Sequence, residues 1–261
     1  MNKLVRNALQ RARFFAQRSG FAINRAEAFA FPDQAELMSD RDVRIIFDIG
    51  ANNGSTVAEY RKLFPESTVH CFEAIPDLVV KIKDRFSADN NVKVHPVAVD
   101  ESPGNRHFHV NRNIDTSSLL RSSVESIPSS YRSIQSPTKI IEVGCQTIDS
   151  VCSEESVSRI DILKMDIQGG ELGALRGAAK MLANAAVDLI YSEVWFLPFY
   201  DDQPLFGDIC SFLAQFGYSI HGMYNVGFSG GTGRMTWADS IFVSPELRGR
   251  SREILRTKHG A

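Results

Sequence analysis

The chain has 261 residues, 43% of them hydrophobic, with 29 basic and 31 acidic side chains for a formal charge of −2. That length buries one large core without division into two globular units, and the even charge excludes a global pull toward nucleic acid or an anionic membrane. No apolar run approaches the length of a membrane span, and Cys71, Cys145, Cys152 and Cys210 show neither a C-x-x-C pair nor metal-ligand spacing. Free thiols in a reducing compartment, the cytoplasm, are therefore expected, and no metal is assigned.

Residues 1–42 read as a basic arm and linker. Lys3, Arg6, Arg11, Arg13, Arg18 and Arg25 all precede the first acidic residue, Glu27, and Leu4, Ala8, Ala12 and Phe15 recur at helical spacing. A helix packed on the domain is the first reading; a membrane-surface or partner contact and an organelle presequence are the alternatives. Phe31-Pro32-Asp33 and the polar residues up to Asp42 read as the linker.

From Val43 to residue 246, strand and helix signals alternate, as in a Rossmann-like α/β sheet. The apolar run Ile45-Ile46-Phe47 ends in Asp48-Ile49-Gly50-Ala51-Asn52-Asn53-Gly54, a carboxylate and glycine turn opening a helix. The turn lacks the three-glycine spacing that seats a dinucleotide pyrophosphate on a helix N-terminus. It suits instead a cofactor with a ribose and an amino-acid tail but no phosphate, S-adenosylmethionine. Thr56 to Glu59 has capping-box spacing, with Val57, Tyr60 and Phe64 toward the sheet. Thr68 to Phe72 reads as a second strand ending at Glu73, placed to accept hydrogen bonds from two ribose hydroxyls. Pro76-Asp77 opens a helix carrying Leu78, Ile82 and Phe86. Residues 92–99 read as a third strand ending at Asp100, near the adenine or at the start of a turn.

Residues 106–147 break the rhythm. His107 to Val110 and Lys139 to Val143 alternate like antiparallel strands, a β insertion over the cofactor end of the sheet. His107 and His109 share one face, read as exposed sheet rather than a metal pair. Asp115 to Leu120 is a hydroxyl-rich loop able to bind a polar acceptor or simply to face solvent.

Ile160 to Leu163 reads as a buried fourth strand leading into Lys164-Met165-Asp166-Ile167-Gln168-Gly169-Gly170-Glu171, then a helix with Leu172, Leu175, Ala179 and Leu182 on one face. Asp166 thus stands at the carboxyl end of a central strand, where ligands bind in open α/β sheets. Val187 to Ser192 reads as a fifth strand ending at Glu193, followed by the aromatics Trp195, Phe196, Phe199 and Tyr200. Leu205, Ile209, Phe212 and Phe216 mark a helix, and 218–223 with 240–243 the closing strands. Gly227, Gly230, Gly231 and Gly233 between them read as a lid or a long hairpin connection. Residues 247–261 form a basic tail.

Together these motifs resemble the FkbM family of S-adenosylmethionine-dependent methyltransferases. The matching segments are D-I-G-A-N-N-G at 48–54, F-E-A-I-P at 72–76, T-S-S-L at 116–119, T-I-D at 147–149, K-M-D-I-Q-G-G-E at 164–171, L-R-G-A at 175–178 and A-D-S-I-F-V at 238–243. The resemblance implies a class I methyltransferase sheet of seven strands, six parallel and one antiparallel, with helices on both faces. It carries cofactor contacts to Asp48, Gly50, Asn52 and Glu73, to which the reading of the turn adds Gly54, and the catalytic face to Asp166. It also implies O-methylation of a sugar, glycan or related natural product. Ala74 and Gln168 depart from the family's frequent proline and glutamate. For the base or acceptor anchor the residues offer Asp166, then Glu193, then His221. A nicotinamide oxidoreductase and a non-catalytic adenosyl-binding module are the other classes to be separated.

Overall fold

The computed structural model describes residues 30–123, 133, 135–229 and 233–249. The basic arm at 1–29, Gly230 and Gly231 of the glycine loop and the tail from 250 lie outside the described residues. The seven-stranded sheet comprises β1 (Ile45–Ile49), β2 (Thr68–Phe72), β3 (Val92–His95), β7 (Ile160–Met165), β8 (Val187–Trp195), β9 (Ser219–Tyr224) and β10 (Trp237–Val243), in the order β3-β2-β1-β7-β8-β10-β9. All pairings among β3, β2, β1, β7 and β8 are parallel, and β10 runs antiparallel to both β8 and β9. Six strands therefore point one way and one the other, the class I methyltransferase arrangement.

Strand parity sorts the core. Phe47, Ile49, Leu163 and Ile190 point to one face, packed by α4 (Ile148–Glu154), α5 (Glu171–Arg176), α6 (Ala179–Ala183) and α7 (Phe206–Ala214). Ile46, Ile162, Leu189 and Ile241 point to the other, packed by α1 (Ala30–Leu37), α2 (Ser55–Leu63) and α3 (Pro76–Arg85). Among the described residues no helix is long and apolar enough to cross a membrane.

Four expectations change. Residues 30–37 form a docked helix, not a linker: Phe31 packs edge-on against Tyr60 and Tyr191, and Tyr60 donates to Gln34 at 2.9 Å. The Thr56 capping box does not form, because α2 begins at Ser55, two residues earlier than that box requires, with Gly54 as its left-handed cap. The fourth-strand helix is two helices, broken where the Asp149 carboxylate takes the Lys180 and Met181 amides. The third strand divides at Pro96, which has no amide proton for a ladder. β3 stays in the main sheet, while β4 (Ala98–Val99) joins β6 (Pro137–Gln146) and β5 (Gly104–Asn111) in a separate three-stranded sheet. β5 and β6 of that sheet form the β insertion, and its apolar side (Ala98, Phe108, Ile141, Val143, Cys145) packs with Ala74 and Leu119.

Under the edge of the main sheet, His70 Nδ1 and His95 Nε2 lie 3.1 Å apart, with the two imidazoles near parallel and Phe47 tilted against His70. Burial, then His95, lowers the His70 pKa to about 4, and burial lowers His95 as well. The folded chain therefore binds fewer protons than the unfolded chain between about pH 6.5 and 4, so stability falls as pH falls through that window. The expected loss is about 2 kcal/mol between pH 7 and pH 4. Urea midpoints across this range should show it, and His70→Phe should flatten the dependence. A variant slope equal to the wild type would assign the acid lability elsewhere.

Candidate active site

A cavity of 330 Å³ opens at the carboxyl ends of β1, β2 and β7, beneath the β insertion. Its floor is made where β1 runs out. The chain turns at Gly50 with φ of 76°, and Gly50 and Ala51 both donate to the Phe72 carbonyl at 3.0 Å. A Cβ on Gly50 would stand 2.0 Å from the Asp166 carbonyl oxygen, so only glycine lets these two strand ends approach. Gly54 has φ of 75° and lies against Phe86; it shapes the turn and is not among the cavity-lining residues. This corrects its assignment to direct cofactor contact.

Glu73 is 6% exposed and ties together the two loops that follow β1 and β2. One carboxylate oxygen accepts the Asn52 amide at 2.9 Å, the other the Ile75 amide at 2.8 Å. Burial raises its pKa and these amides pull it back. Glu73 lines the cavity, and a carboxylate can accept from more donors than these amides, vicinal hydroxyls among them. Ala74, Ile75, Leu78 and Val99 supply apolar walls beside it.

Asp48 takes a different place from the one expected. It shares the parity of Ile46, so it points away from the cavity, fully buried, with the Lys164 ammonium 2.9 Å from its Oδ1. Asp48 and Lys164 are cross-strand partners in the β1–β7 register. Lys164 Nζ also donates to the Gly50 carbonyl at 2.9 Å and lines the cavity floor. Burial opposes the Lys164 charge, but Asp48 and Asp166 raise its pKa overall. Asp48 thus supports the turn through Lys164. Asp100 also stands aside: its carboxylate receives the Glu101 amide and faces Arg106 at 3.3 Å, while Val97, Ala98 and Val99 line the cavity in its stead. The split of the third strand at Pro96 is what turns it away.

Asp166 does open into the cavity, from the end of β7. Behind it Gln168, with φ of 57°, gives its amide nitrogen to Asp166 at 2.9 Å and to Glu193 at 2.8 Å. Its carbonyl oxygen faces the Tyr200 hydroxyl at 3.0 Å, and that hydroxyl also reaches the Thr116 carbonyl at 2.8 Å. Burial, then the neighbouring Asp166 carboxylate, pushes the Glu193 pKa well above the usual carboxylate value. Glu171, raised to about 7 by burial, accepts the Ile167 amide at 3.0 Å and braces the turn. His221 lies exposed on edge strand β9, outside the cavity lining, so the structure does not bring it to this group.

The sequence reading missed the Lys164 floor, the Gln168 bridge and the role of Asp115, whose Oδ1 accepts from the Asn52 side chain at 2.7 Å across the cavity mouth. The Trp195, Phe199 and Tyr200 aromatics pack on one another rather than on the cavity; only the Tyr200 hydroxyl reaches the site. The glycine-loop hairpin carries a Phe228–Met235 bridge, the hairpin-connection reading.

The parallel sheet reversed only at β10, and a carboxylate-rimmed cavity at its carboxyl edge, define a class I, Rossmann-like methyltransferase fold. Residues 48–220 match the family described as "Methyltransferase FkbM domain", and the chain belongs to that family. It is 27% identical over 168 residues to the "2-O-methyltransferase NoeI" of Sinorhizobium fredii (strain NBRC 101917 / NGR234), covering 62% of this chain and 65% of that relative's length. Similar solved structures include a rRNA methylase from Streptococcus thermophilus (12% identity, TM-score 0.45, 85% of this chain and 98% of that one). Another is a precorrin-6y C5,15-methyltransferase from Geobacter metallireducens (12% identity, TM-score 0.43, 82% and 86%).

Proposed function

We propose that this protein is an S-adenosylmethionine-dependent O-methyltransferase acting on a hydroxyl of a sugar, glycan or related natural product. The observation that carries the cofactor is Glu73, buried at the tip of β2, tied to two amides and still open to the cavity. The donor set fits that cofactor and not a dinucleotide. Glu73, Asp115 and Asp166 line the space, and carboxylates that suit ribose hydroxyls and cationic groups repel a pyrophosphate. The hydroxyl acceptor is supported by the acid pair on β7 and β8 and by a relative named as a 2-O-methyltransferase.

Glu73 would hold the ribose, the Gly50–Asn52 turn would lie against the amino-acid tail, and Ile75, Leu78 and Val99 would enclose the adenine. When bound, S-adenosylmethionine supplies an electrophilic methyl group on a sulfonium. The chain's own contribution is alignment and a proton acceptor. Asp166 orients the acceptor hydroxyl and takes its proton. Gln168 fixes the Asp166 carboxylate by an N–H bond and ties it to Glu193, whose protonated form burial and Asp166 favour.

Calorimetric titration with S-adenosylhomocysteine tests the cofactor, and methyl transfer from labelled S-adenosylmethionine to a panel of sugars and oligosaccharides tests the acceptor. Glu73→Ala should weaken binding at least about 10-fold, because it removes the hydroxyl acceptor and orphans two amides. Absence of saturable binding by folded wild-type protein, or binding of NAD instead, would sink the proposal.

A further inference from the structure

Four charged side chains line the cavity, and their partners do not balance. The Lys164 ammonium is neutralised by Asp48 at 2.9 Å, so the cavity sees little of its charge. Glu73 and Asp166 each have an assigned task. Asp115 has none: it stands on the insertion, outside the main sheet, in the short 3-10 turn Ile114–Thr116. Its carboxylate is anchored across the cavity mouth by the Asn52 side chain through Oδ1 alone. The Asn52 backbone amide is in turn fixed on Glu73 at 2.9 Å. Asp115 is thereby tied to the cofactor turn from the far wall, with its second oxygen outside that bond.

We propose that Asp115 is a specificity-determining residue that makes the cavity favour the cationic methyl donor over its neutral demethylated product. The inference rests on the reading of the cavity as an S-adenosylmethionine site. Methyl transfer breaks the S–CH3 bond, leaves its electron pair on sulfur and forms an O–CH3 bond as the acceptor's proton passes to Asp166 and on to solvent, so the sulfonium becomes an uncharged thioether. A cavity with surplus carboxylate charge holds the cation more tightly than the neutral product. Product leaves because the charge that held the donor has gone with the methyl group.

The test compares two ligands on the wild type and Asp115→Asn by calorimetry. Sinefungin carries an amine where the donor has its sulfonium methyl, so it is a stable cation; S-adenosylhomocysteine is the neutral product. Asp115→Asn removes the charge but keeps an oxygen to accept the Asn52 bond, which separates charge from latch. The wild type should bind sinefungin more tightly than S-adenosylhomocysteine. The variant should lose about 5-fold in sinefungin affinity and less than 2-fold for the product, and the difference should shrink in high salt. Equal losses for both ligands would reduce Asp115 to a structural latch and overturn the inference, as would no loss for either. Failure of wild-type protein to bind either ligand would overturn both the inference and the cofactor reading. Product binding as tight as sinefungin overturns the inference alone.

Discussion

Gly50→Ala is expected to destabilise the protein by at least ~3 kcal/mol and to abolish cofactor-site binding in whatever fraction stays folded. Two costs add at this position. The backbone sits at φ of 76°, where a Cβ meets the carbonyl of its own residue and costs roughly 1–2 kcal/mol. The new carbon would also lie 2.0 Å from the Asp166 carbonyl oxygen and 3.1 Å from an Ile167 methyl. The carbonyl cannot swing aside as a flexible side chain does, because Asp166 donates its own amide to the Ile49 carbonyl at 3.1 Å. Relief requires β1 and β7 to part at their ends, which displaces the Lys164 anchor and the Asp166 carboxylate together. Thermal unfolding should show a fall of about 10 °C for a domain of this size. Gly207→Ala is the control: nothing lies within 4 Å of its Cβ, in the first turn of α7, and its effect should be near zero. A Gly50→Ala melting temperature within about 2 °C of wild type would mean that the strand ends are not packed as described.

What the sequence made legible follows from the same geometry. Buried parallel strands are continuous apolar runs, so β1, β2, β7 and β8 stand out, and the acidic residue at each tip stands out with them. Glu73 and Asp166 follow the last buried position and therefore face the ligand edge. Asp48 lies inside β1, not beyond it, and parity decides its direction. Counting by twos from Ile46 would have turned it from the cavity, and the lysine at the matching place in β7 was the signal for its partner. The α1 helix was hidden because its anchors are remote: Gln34 meets Tyr60, and Asp33 accepts from Tyr224 at 2.8 Å, 191 residues along the chain. The Gln168 bridge was hidden for a related reason. Gln168, Glu193, Tyr200 and Thr116 converge only once the insertion is folded against β8.

Lys164→Met carries the other large expected effect, a loss of roughly 3–5 kcal/mol at neutral pH. Asp48 is fully buried, and among the described residues its Oδ2 has no hydrogen-bond donor, so the Lys164 ammonium is its sole close counter-charge. The methionine fills a similar volume, so the loss comes from the stranded carboxylate and the freed Gly50 carbonyl rather than from a void. The double variant Asp48→Asn with Lys164→Met should recover most of the loss, a coupling that a double-mutant cycle reads directly. The pH dependence separates this from loosened packing. Burial already raises the Asp48 pKa in the wild type, and Lys164 opposes that rise. Without the lysine the folded chain holds a proton on Asp48 that the unfolded chain has released above about pH 4. The folded state then binds more protons, so Lys164→Met stability should fall as pH rises from about 4 toward 7, while the double variant shows no such slope. Unfolding curves for the three proteins at pH 5 and pH 7 decide the matter. A single-variant loss that is the same at both pH values would make Lys164 a packing residue, and the ion pair beneath the turn would no longer explain why β1 and β7 end together.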